Sequence, residues 1–374
     1  MDAARPKIWI VTELFPPDET STAYIMGEIA NAMTSKYQVE VICGPEIYDE
    51  RRFIDQNNTF KLHPSIHVHR VKGVGGKKNT LIGKLLAFIF ITKRIYSICR
   101  NNIRTTDKVL MVTNPASLVV AMASLKRRVG FEFNILVHDI FPENTKPAGI
   151  KLPFYTVIKK LFDKAYSRAD MLIAIGRDMV NVLNVKVCQY NPQIRIEIIE
   201  NWADIVNIKP RPFPDGQIRI QYAGNIGRVQ GFDKVIAALP MNIQLHMYGT
   251  GAMEDKLKNM QYRNVFFHGA YARSQQNDIL GECHIALVTL EQGMYGLGVP
   301  SKTYNILAAG RPILFLGPKC SEVDMLVREY GIGYCEWPDV WDVDTLVEMG
   351  SRARILAERN YSKEIILQKF LNII

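Results

Sequence analysis

The sequence alternates between predicted β-strands and predicted α-helices, and this alternation runs twice along the chain. Apolar runs of strand length, such as 7–14 and 133–139, are separated by helical segments such as 22–33. The Pro- and Gly-containing segment 211–216 interrupts the order, which resumes at residue 218. Such alternation is typical of a doubly wound parallel sheet flanked by helices. We therefore expect two α/β halves that face a central cleft with the ligand site.

The predicted elements are distributed over both halves of the chain. The predicted strands are 7–14, 37–44, 65–73, 108–113, 133–139, 171–175 and 195–200, then 218–223, 243–248, 264–267, 284–289 and 312–316. The predicted helices are 22–33, 81–100, 116–125 and 155–168, then 231–239, 252–260, 274–281, 301–309 and 321–329. The last residues, 359–374, predict a further helix.

The composition fits two globular domains of ordinary size. The chain has 374 residues, of which 48% are hydrophobic and 22% are charged, which argues against a disordered, collagenous or polytopic membrane protein. Its six cysteines include no CxxC pair, so neither a structural zinc site nor a disulfide framework is expected. The first apolar run covers only Ile8–Val11, which is too short for a secretory signal. The sequence thus predicts a cytoplasmic protein.

The excess of positive charge lies entirely in the first half of the chain. Residues 1–200 contain 28 Lys and Arg against 19 Asp and Glu, whereas residues 201–374 contain 18 of each kind. Between Asp55 and Asp107 there are ten basic residues and no acidic one. A surface polarised in this way normally faces a polyanion or an anionic membrane.

This basic stretch includes the apolar segment 81–100, a candidate membrane-contacting helix. Its uncharged run, Leu85–Thr92, has eight residues, whereas a transmembrane helix needs about 20. The stretch lacks the polar residues with interspersed aromatic side chains that are typical of a nucleic-acid-binding surface, so no nucleic-acid partner is expected. A buried core helix with charged ends stays open, but Lys and Arg at both ends favour a helix that dips into one leaflet of an anionic membrane. The predicted membrane contacts are Lys77, Lys78, Lys84, Leu85, Phe88, Phe90, Lys93 and Arg94.

Three glycine-bearing turns follow predicted strands of the second half, within 222–233, 248–257 and 296–312. Glycines let backbone N–H groups approach an anion, and two of the turns add a positive side chain. The third turn also begins a predicted helix, whose dipole favours an anion at its start. No P-loop motif occurs, so a P-loop nucleotidase is excluded. The candidate diphosphate-binding residues in these turns are Gly224, Gly227, Arg228, Gly249, Ser301 and Lys302.

These turns, taken with the segments around them, resemble a known family. The order AGNIGRVQGFDKVIAAL, GTGAMEDKL, VFFHGAY and VPSKTYNILAAGRPIL is similar to that of family 4 glycosyltransferases of the GT-B fold, which has two Rossmann-like domains. The chain is most similar to the bacterial O-antigen and capsule branch, including L-fucosamine transferase-like members. The segments LFPP, VHDIFPE and IENWAD fit the same branch, so the resemblance covers nearly the whole chain.

The resemblance implies transfer of a sugar from a nucleotide-sugar, most often a UDP-sugar, with retained anomeric configuration and without a metal or other cofactor. The implied acceptor is a polyprenyl-diphosphate-linked saccharide of surface polysaccharide assembly, at the inner face of the plasma membrane. The implied domains are an acceptor-binding, membrane-facing domain at 1–204 and a nucleotide-sugar-binding domain at 205–355. A last helix, about 356–374, would return to the first domain.

By position in the family, Arg228, Ser301 and Lys302 would hold the donor diphosphate. Many family members have two glutamates, eight residues apart, for the donor sugar and the ribose. This chain has Leu297 and Asn305 at those positions. Asn305 can hydrogen-bond a ribose hydroxyl, whereas an apolar Leu297 cannot hold a sugar hydroxyl. The chain therefore departs from the family in how it holds the donor sugar.

The candidate catalytic residues lie at and after the end of predicted strand 133–139. His138 and Asp139 are placed where a strand of a parallel sheet ends at the cleft, and Glu143 follows them. If the leaving diphosphate accepts the acceptor proton, the protein has to orient the substrates and neutralise the leaving group. Asp139 would then polarise the acceptor hydroxyl or brace His138, and His138 would contact the donor sugar. A hydrogen-bonded pair without a catalytic role is the alternative.

Two other classes of protein stay open at this point. A sugar-nucleotide 2-epimerase shares the fold and donor site without needing a membrane surface. A non-catalytic membrane-surface or nucleic-acid-binding protein would explain the charge but not the three turns. Asp342-Val343-Asp344 matches the DxD motif that binds manganese in another glycosyltransferase fold, but the motif is common by chance and a helix N-cap explains Asp344. We therefore predict no metal site.

Overall fold

The computed structural model describes residues 5–46, 60–73 and 81–374, which form thirteen strands and twelve α-helices. The strands are β1 (Lys7–Thr12), β2 (Gln38–Cys43), β3 (His67–Arg70), β4 (Lys108–Val112), β5 (Glu132–Val137), β6 (Met171–Ala174), β7 (Arg195–Ile198), β8 (Arg219–Ala223), β9 (Gln244–Tyr248), β10 (Val265–Gly269), β11 (Ile285–Thr289), β12 (Ile313–Leu316) and β13 (Gly333–Tyr334). The helices are α1 (Ser21–Met33), α2 (Leu81–Asn102), α3 (Ala116–Val129), α4 (Tyr155–Tyr166), α5 (Arg177–Val187), α6 (Phe232–Ala237), α7 (Glu254–Lys258), α8 (Gln276–Gly281), α9 (Lys302–Ala308), α10 (Glu322–Tyr330), α11 (Val343–Asn360) and α12 (Lys363–Ile373).

The strands form two parallel sheets, one in each half of the chain. The first sheet has the order β3-β2-β1-β4-β5-β6-β7, and the second has the order β10-β9-β8-β11-β12-β13. Each sheet begins near its middle and winds outward in both directions. A crevice forms at the carboxyl ends of the strands where the winding direction changes, beside β1 and β4 in one sheet and beside β8 and β11 in the other. The predicted pair of doubly wound parallel sheets is confirmed.

Burial explains the composition of the strands. The central strands β5 and β11 are covered by helices on both faces, and all but one of their residues are buried. Their sequences are therefore apolar runs in which polar and apolar residues alternate little. The edge strands β3 and β7 are partly exposed and carry charged or imidazole side chains. Such edges resist pairing with another chain.

The helices of the first half lie in two layers. Contacts join α2 to α3, α3 to α4 and α4 to α5, so these four helices are neighbours, as right-handed crossovers between successive parallel strands require. The other layer contains α1, which contacts α12 from the end of the chain. The Tyr37 hydroxyl donates to the carbonyl of Ile374 at 2.7 Å, and Lys369 pairs with Glu200 at 2.7 Å. The last helix thus packs against the first half.

Three elements are missing from the predicted helices and strands: α5, β13 and α11, of which only an N-cap at its start was expected. Helix α5, RDMVNVLNVKV, is rich in valine and asparagine, which have low helix propensity, and it forms because its face with Met179 and Leu183 is buried. Strand β13 has only two residues. Helix α2 buries Ile91, Ile95 and Cys99 against the first sheet, so the core-helix alternative holds for this stripe. No helix in the described ranges is long and apolar enough to span a bilayer.

Candidate active site between the two sheets

A cavity with a volume of about 400 Å³ lies between the carboxyl ends of the two sheets. Both halves contribute to its walls. The predicted site residues that line it are His138, Asp139, Gly224, Ser301, Lys302 and Asn305. The predicted site residues that are not among those lining it are Glu143, Gly227, Arg228 and Gly249.

Lys302 brings an amino group without a hydrogen-bond partner to this cavity. It is the first residue of α9, and its Nζ lies 3.4 Å from the centroid of the Tyr222 ring. The Nζ atom is buried, and no residue that the structure describes hydrogen-bonds to it. This burial lowers the pKa of Lys302 well below its ordinary value. Burial without an oppositely charged partner disfavours the ammonium form, so the site is suited to an anion supplied by a ligand.

The first glycine turn lies close to Lys302, which is possible because Gly224 has no side chain. A Cβ atom on Gly224 would lie 2.8 Å from the Lys302 Nζ, and φ at Gly224 is +142°. The second turn supports the first from behind. A Cβ atom on Gly249 would lie 2.0 Å from the carbonyl oxygen of Gly224, whose N–H donates to the carbonyl of Tyr248 at 2.9 Å. Gly249 therefore shapes the anion-binding corner without lining the cavity.

The remaining donor-site candidates differ in how free they are to bind a ligand. Arg228 is exposed and follows Gly227 at the start of a short 3-10 turn. Ser301 precedes α9, and its hydroxyl does not cap the helix. Gln230, which was not predicted, lines the cavity with a buried Oε1 that has no partner among the described residues. Polar groups at this wall are thus available beside Lys302.

Asn305 is already engaged in contacts that join the two halves. Its Oδ1 accepts the N–H of Asp204 at 3.1 Å, and its Nδ2 donates to Gln276 Oε1 at 3.1 Å. Asp204 belongs to the segment that links the two sheets. Leu297, the other position where relatives often have glutamate, is buried among apolar side chains. Neither position therefore presents a free carboxylate to a sugar.

On the opposite wall, His138 and Asp139 are held by one hydroxyl. Their backbone N–H groups both donate to Thr113 Oγ1 at 3.2 Å, directly after β4. The His138 Nδ1 lies 3.4 Å from Thr22 Oγ1, and its Nε2 is buried without a partner in the described structure. Burial lowers the pKa of His138 to about 4. The imidazole is therefore neutral at physiological pH, with one nitrogen available to a ligand.

Asp139 is reached by water through the cavity but is closely surrounded by protein. This enclosure raises the pKa of Asp139 to about 6. A carboxyl group of this kind is ionised at neutral pH and is a better hydrogen-bond acceptor than an ordinary aspartate. The second half lies close to it: a Cβ atom on Gly298 would lie 3.1 Å from Asp139 Oδ1, and the N–H of the next residue, Ile140, donates to the Leu297 carbonyl at 3.1 Å.

Glu143 lies outside the cavity, in a cluster of charges. Its carboxylate is 2.9 Å from the Nζ of Lys186 and 3.1 Å from the Nζ of Lys159. Lys186 is 1% exposed and also lies 2.7 Å from Asp163. This cluster connects the turn after β5 to α4 and α5. A catalytic role for Glu143 stays a prediction. In the structure its carboxylate pairs with two lysines and does not line the cavity.

The predicted membrane contacts are only partly within the described residues. Phe90 is 45% exposed, and Lys93 and Arg94 are exposed on the same helix. The Arg94 guanidinium donates to the carbonyls of Lys72 and Gly73. The side chains of Lys84, Leu85 and Phe88 and the whole of Lys77 and Lys78 lie outside the described part of the structure.

Sequence reasoning missed the contact between Tyr24 and Arg273. The Arg273 guanidinium lies 3.7 Å from the centroid of the Tyr24 ring, so a cation–π contact crosses the cleft. Both residues line the cavity. Arg273 follows β10, and a basic residue shortly after a strand is the only signal in the sequence. Because an aromatic residue 249 positions away supplies its partner, that signal was too weak to identify it.

The DxD segment has a structural role at the start of α11. Asp342 Oδ2 accepts the N–H of Thr345 at 2.9 Å and is the N-cap. The expectation that Asp344 is the cap was wrong, because Asp344 already lies in the first helical turn whereas Asp342 has an extended backbone. Within the described ranges, no three His, Cys, Asp or Glu side chains are grouped so that they could hold a metal ion.

Comparison with known proteins identifies the family. No protein-family model matches the chain. WbjE of Pseudomonas aeruginosa, named a probable glycosyltransferase, is 31% identical over 395 residues, which covers 97% of this chain and 96% of WbjE. WcaI of Escherichia coli K12, a glycosyl transferase by name, is 30% identical over 240 residues, which covers 54% of this chain and 56% of WcaI.

Solved structures share the fold at low sequence identity. Sucrose-phosphate synthase from Thermosynechococcus elongatus has a TM-score of 0.75 at 12% identity over 99% of this chain and 98% of its own. Anabaena HepE in complex with UDP and glucose has a TM-score of 0.65 at 14% sequence identity, and the match covers 98% of both chains. WaaG has a TM-score of 0.62 at 12% sequence identity, and the match covers 98% of this chain and 99% of WaaG.

The two parallel sheets around a cleft are thus the GT-B fold of glycosyltransferases, as the sequence predicted. The near full-length similarity to WbjE shows that this chain belongs to the GT-B glycosyltransferase family of WbjE and WcaI.

Proposed function

We propose that this enzyme transfers a sugar, with retention of configuration, from a UDP-sugar to a polyprenyl-diphosphate-linked saccharide in bacterial surface polysaccharide assembly. The observation that carries the proposal is the buried, unpaired ammonium of Lys302 beside the Gly224 turn. A diphosphate gains negative charge as it leaves the sugar, so a cation placed there stabilises the transition state. WcaI is named for colanic acid biosynthesis and WaaG is described as involved in lipopolysaccharide biosynthesis, which supports the pathway class.

The donor is proposed to be a UDP-linked hexose or N-acetylhexosamine. The structural relative HepE has been solved with UDP, which supports the uridine nucleotide. The resemblance to L-fucosamine transferases favours an amino sugar. Because Leu297 is buried and Asn305 binds the linker, the sugar hydroxyls would be held by other groups of the cavity wall, such as Gln230 and His138.

We propose the following roles for residues of the cavity and for Arg228. The bond between the anomeric carbon and the diphosphate oxygen breaks, and the acceptor hydroxyl attacks from the same face. Its proton passes to the leaving diphosphate, while Lys302 on the cavity wall and Arg228, exposed on the turn after β8, offset the negative charge. Neutral His138 contacts the donor sugar through Nε2, and ionised Asp139 orients the acceptor hydroxyl. We propose no metal ion in this step.

The first domain, 1–204 with the last helix, is proposed to bind the acceptor at the inner face of the plasma membrane. The second domain, 205–355, would bind the nucleotide-sugar. The support is that the cavity divides its charged groups in this way, with Asp139 on one wall and Lys302 on the other. The exposed Phe90 and Lys93 of α2 would contact the anionic leaflet.

A ligand series tests the diphosphate site directly. Isothermal calorimetry should give much tighter binding of UDP than of UMP or uridine, because only UDP places a second phosphate at Lys302. The Lys302→Met variant should lose most of this difference, whereas Lys256→Met, an exposed lysine paired with Asp233, should retain it. Equal affinities for UDP and uridine in the wild type would contradict the proposed donor site.

Product analysis separates the transferase from the epimerase of the same fold. Incubated with a UDP-sugar alone, an epimerase would change the stereochemistry of the sugar, which proton NMR detects. The proposed transferase should leave the sugar unchanged and release UDP only when a lipid-linked acceptor is added. Epimerised sugar without an acceptor would overturn the proposal in favour of the epimerase.

A further inference from the structure

The outward face of α4 carries large apolar side chains that the first half does not bury. Phe154, directly before the helix, is 81% exposed, Val157 is 66% exposed and Leu161 is 51% exposed. Their spacing of three and four residues places them along one side of the helix. The opposite side packs normally, with Phe162 and Tyr166 buried. The stripe of Phe154, Val157 and Leu161 is therefore not needed for folding of the sheet.

This apolar stripe is flanked by positive charge alone. Lys160 and Lys164 are exposed on α4, and Lys151 is exposed just before it. The one acidic residue of the helix, Asp163, is 2% exposed and pairs with lysines on the inward side. The outward face of α4 thus combines apolar and cationic groups and presents no carboxylate.

A helix of the second half shows that exposure alone does not produce this pattern. On α11, Val347 is 41% exposed and Ile355 is 47% exposed. There the exposed acids Glu348 and Glu358 lie beside the apolar side chains, and each is close to an arginine. The surface of α11 is therefore mixed in sign, as for an ordinary solvated helix.

The position of α4 links this face to the cleft and to α2. Helices α2, α3 and α4 are successive neighbours in one layer, and α2 exposes Ile89 and Phe90 in the same layer. The segment between β5 and α4 carries Asp139. Its Phe141 ring lies 4.6 Å from the ring of Phe162, on the inward side of α4. A surface bound at α4 is thus close in sequence and in space to the acceptor side of the cavity.

We propose that the outward face of α4 docks on an anionic lipid bilayer. Phe154, Val157 and Leu161 enter the head-group region, and the flanking lysines lie against lipid phosphates. A second copy of the chain fits less well, because a two-fold interface through this face would place lysines opposite lysines. Lipid docking by α4 is independent of the sugar-transfer chemistry, and its use in presenting a lipid-linked acceptor rests on the proposed function.

The test is cosedimentation of the full-length protein with vesicles of phosphatidylethanolamine and phosphatidylglycerol. Val157→Glu with Leu161→Glu should lower the partition coefficient at least about tenfold, because two apolar side chains no longer enter the bilayer. Lys160→Gln with Lys164→Gln should lower it about 25-fold at low salt, since each basic residue near an anionic surface contributes about fivefold. The matched control, Val347→Glu with Ile355→Glu on α11, should bind as the wild type does.

Several results would overturn the docking proposal. Wild-type partitioning of the Val157→Glu/Leu161→Glu variant would exclude this face as a lipid surface. A fall in solution mass of that variant, measured by sedimentation velocity without vesicles, would assign the face to contact between copies of the chain. On vesicle binding, amide hydrogen exchange should slow in 150–161 and not in 343–355.

UDP affinity, measured on the same variants, keeps the two proposals apart. The α4 variants should bind UDP normally, because α4 does not line the cavity. Normal UDP binding without α4-dependent vesicle binding would remove the docking proposal alone. Vesicle binding that depends on α4, without UDP binding, would remove the proposed donor site alone.

Discussion

The two halves of the molecule share one topology but carry different chemistry at the same edge of their sheets. In the first half, β5 ends in a neutral imidazole and a carboxyl group, His138 and Asp139. In the second half, β8 ends in the Gly224 turn, beside which Lys302 lies unpaired. The fold determines where a ligand can bind, whereas the few residues after each strand give each wall its own chemical groups.

The outer surfaces of the halves differ as well. All of the net positive charge belongs to residues 1–200, and the layer of α2, α3 and α4 exposes apolar side chains next to lysines. Residues 201–374 are neutral overall, and exposed acids accompany the exposed apolar side chains of α11. This difference supports our proposal that the first half faces a membrane and the second half faces the solvent and a soluble donor.

The largest effect is expected from removing the cation of the second half. Lys302→Met should lower kcat/KM by about 10²- to 10³-fold, as loss of one transition-state charge contact does. Its melting temperature should not fall, because the variant removes a buried amino group that has no hydrogen-bond partner in the described structure. Steady-state kinetics and thermal unfolding measure both. Wild-type turnover would show that the two walls do not divide the chemistry in this way.

The carboxyl group of the first half should affect the rate next most strongly. Asp139→Asn should lower kcat by about 10²-fold. The wild-type rate should rise with pH through about 6, because enclosure raises the pKa of Asp139 to about 6 and the ionised form predominates above it. His138, with a pKa lowered to about 4, stays neutral in this range. A pH–rate limb near 6 that persists in the Asp139→Asn variant would assign the titration to another group.

The burial of Lys302 predicts a pH dependence of donor binding. Desolvation lowers the pKa of Lys302 in the empty site, and a bound diphosphate would raise it again. UDP binding should therefore take up a proton, and affinity should fall as pH rises, by at most about tenfold per pH unit. Calorimetry in buffers of different ionisation enthalpy measures the proton uptake. The same uptake in Lys302→Met would mean that another group is responsible.

The contrast in surface charge can be tested with one lysine from each half. Lys93→Gln on α2 should weaken binding to phosphatidylglycerol-containing vesicles about fivefold at low salt, and the effect should shrink as salt screens the charge. Lys256→Gln in the second half should change nothing. Transfer to a short soluble acceptor should stay near the wild-type rate in both. Equal weakening by the two variants would show that vesicle binding follows net charge and not an oriented surface.

The smallest effect is expected from chelation. With Lys302 and Arg228 beside the diphosphate, we expect EDTA to leave the transfer rate unchanged. A time course with and without EDTA, followed by added manganese, provides the measurement. Loss of activity that manganese restores would show that a metal ion shares the role assigned to the cations of the second half.

Local sequence patterns predicted most of the fold but little of the electrostatics of the site. Buried strands such as β5 and β11 are apolar runs of strand length, so their positions follow from the sequence alone. Helix α5 was missed because its valines and asparagines favour other conformations, and only tertiary packing makes it helical. The sequence also placed Lys302 at the start of a helix, which is correct.

The environments of the charged residues depend on partners that are distant in the sequence. The ammonium of Lys302 is buried by Tyr222, and Glu143 is paired with Lys186. Asn305 is bonded to the N–H of Asp204 across the junction of the halves. No spacing rule connects such pairs, because they meet only when both sheets are formed.

The loop before α9 has a consequence for how substrates are sensed. Gly298 lies so close to Asp139 that a Cβ atom there would be 3.1 Å from the Asp139 Oδ1, and Lys302 lies at the other end of the same short segment. A phosphate that attracts Lys302 would therefore displace residues 298–302, including Gly298 beside Asp139. We therefore expect nucleotide binding at Lys302 to affect Asp139 through this segment, so that the acceptor side responds to whether the donor site is occupied.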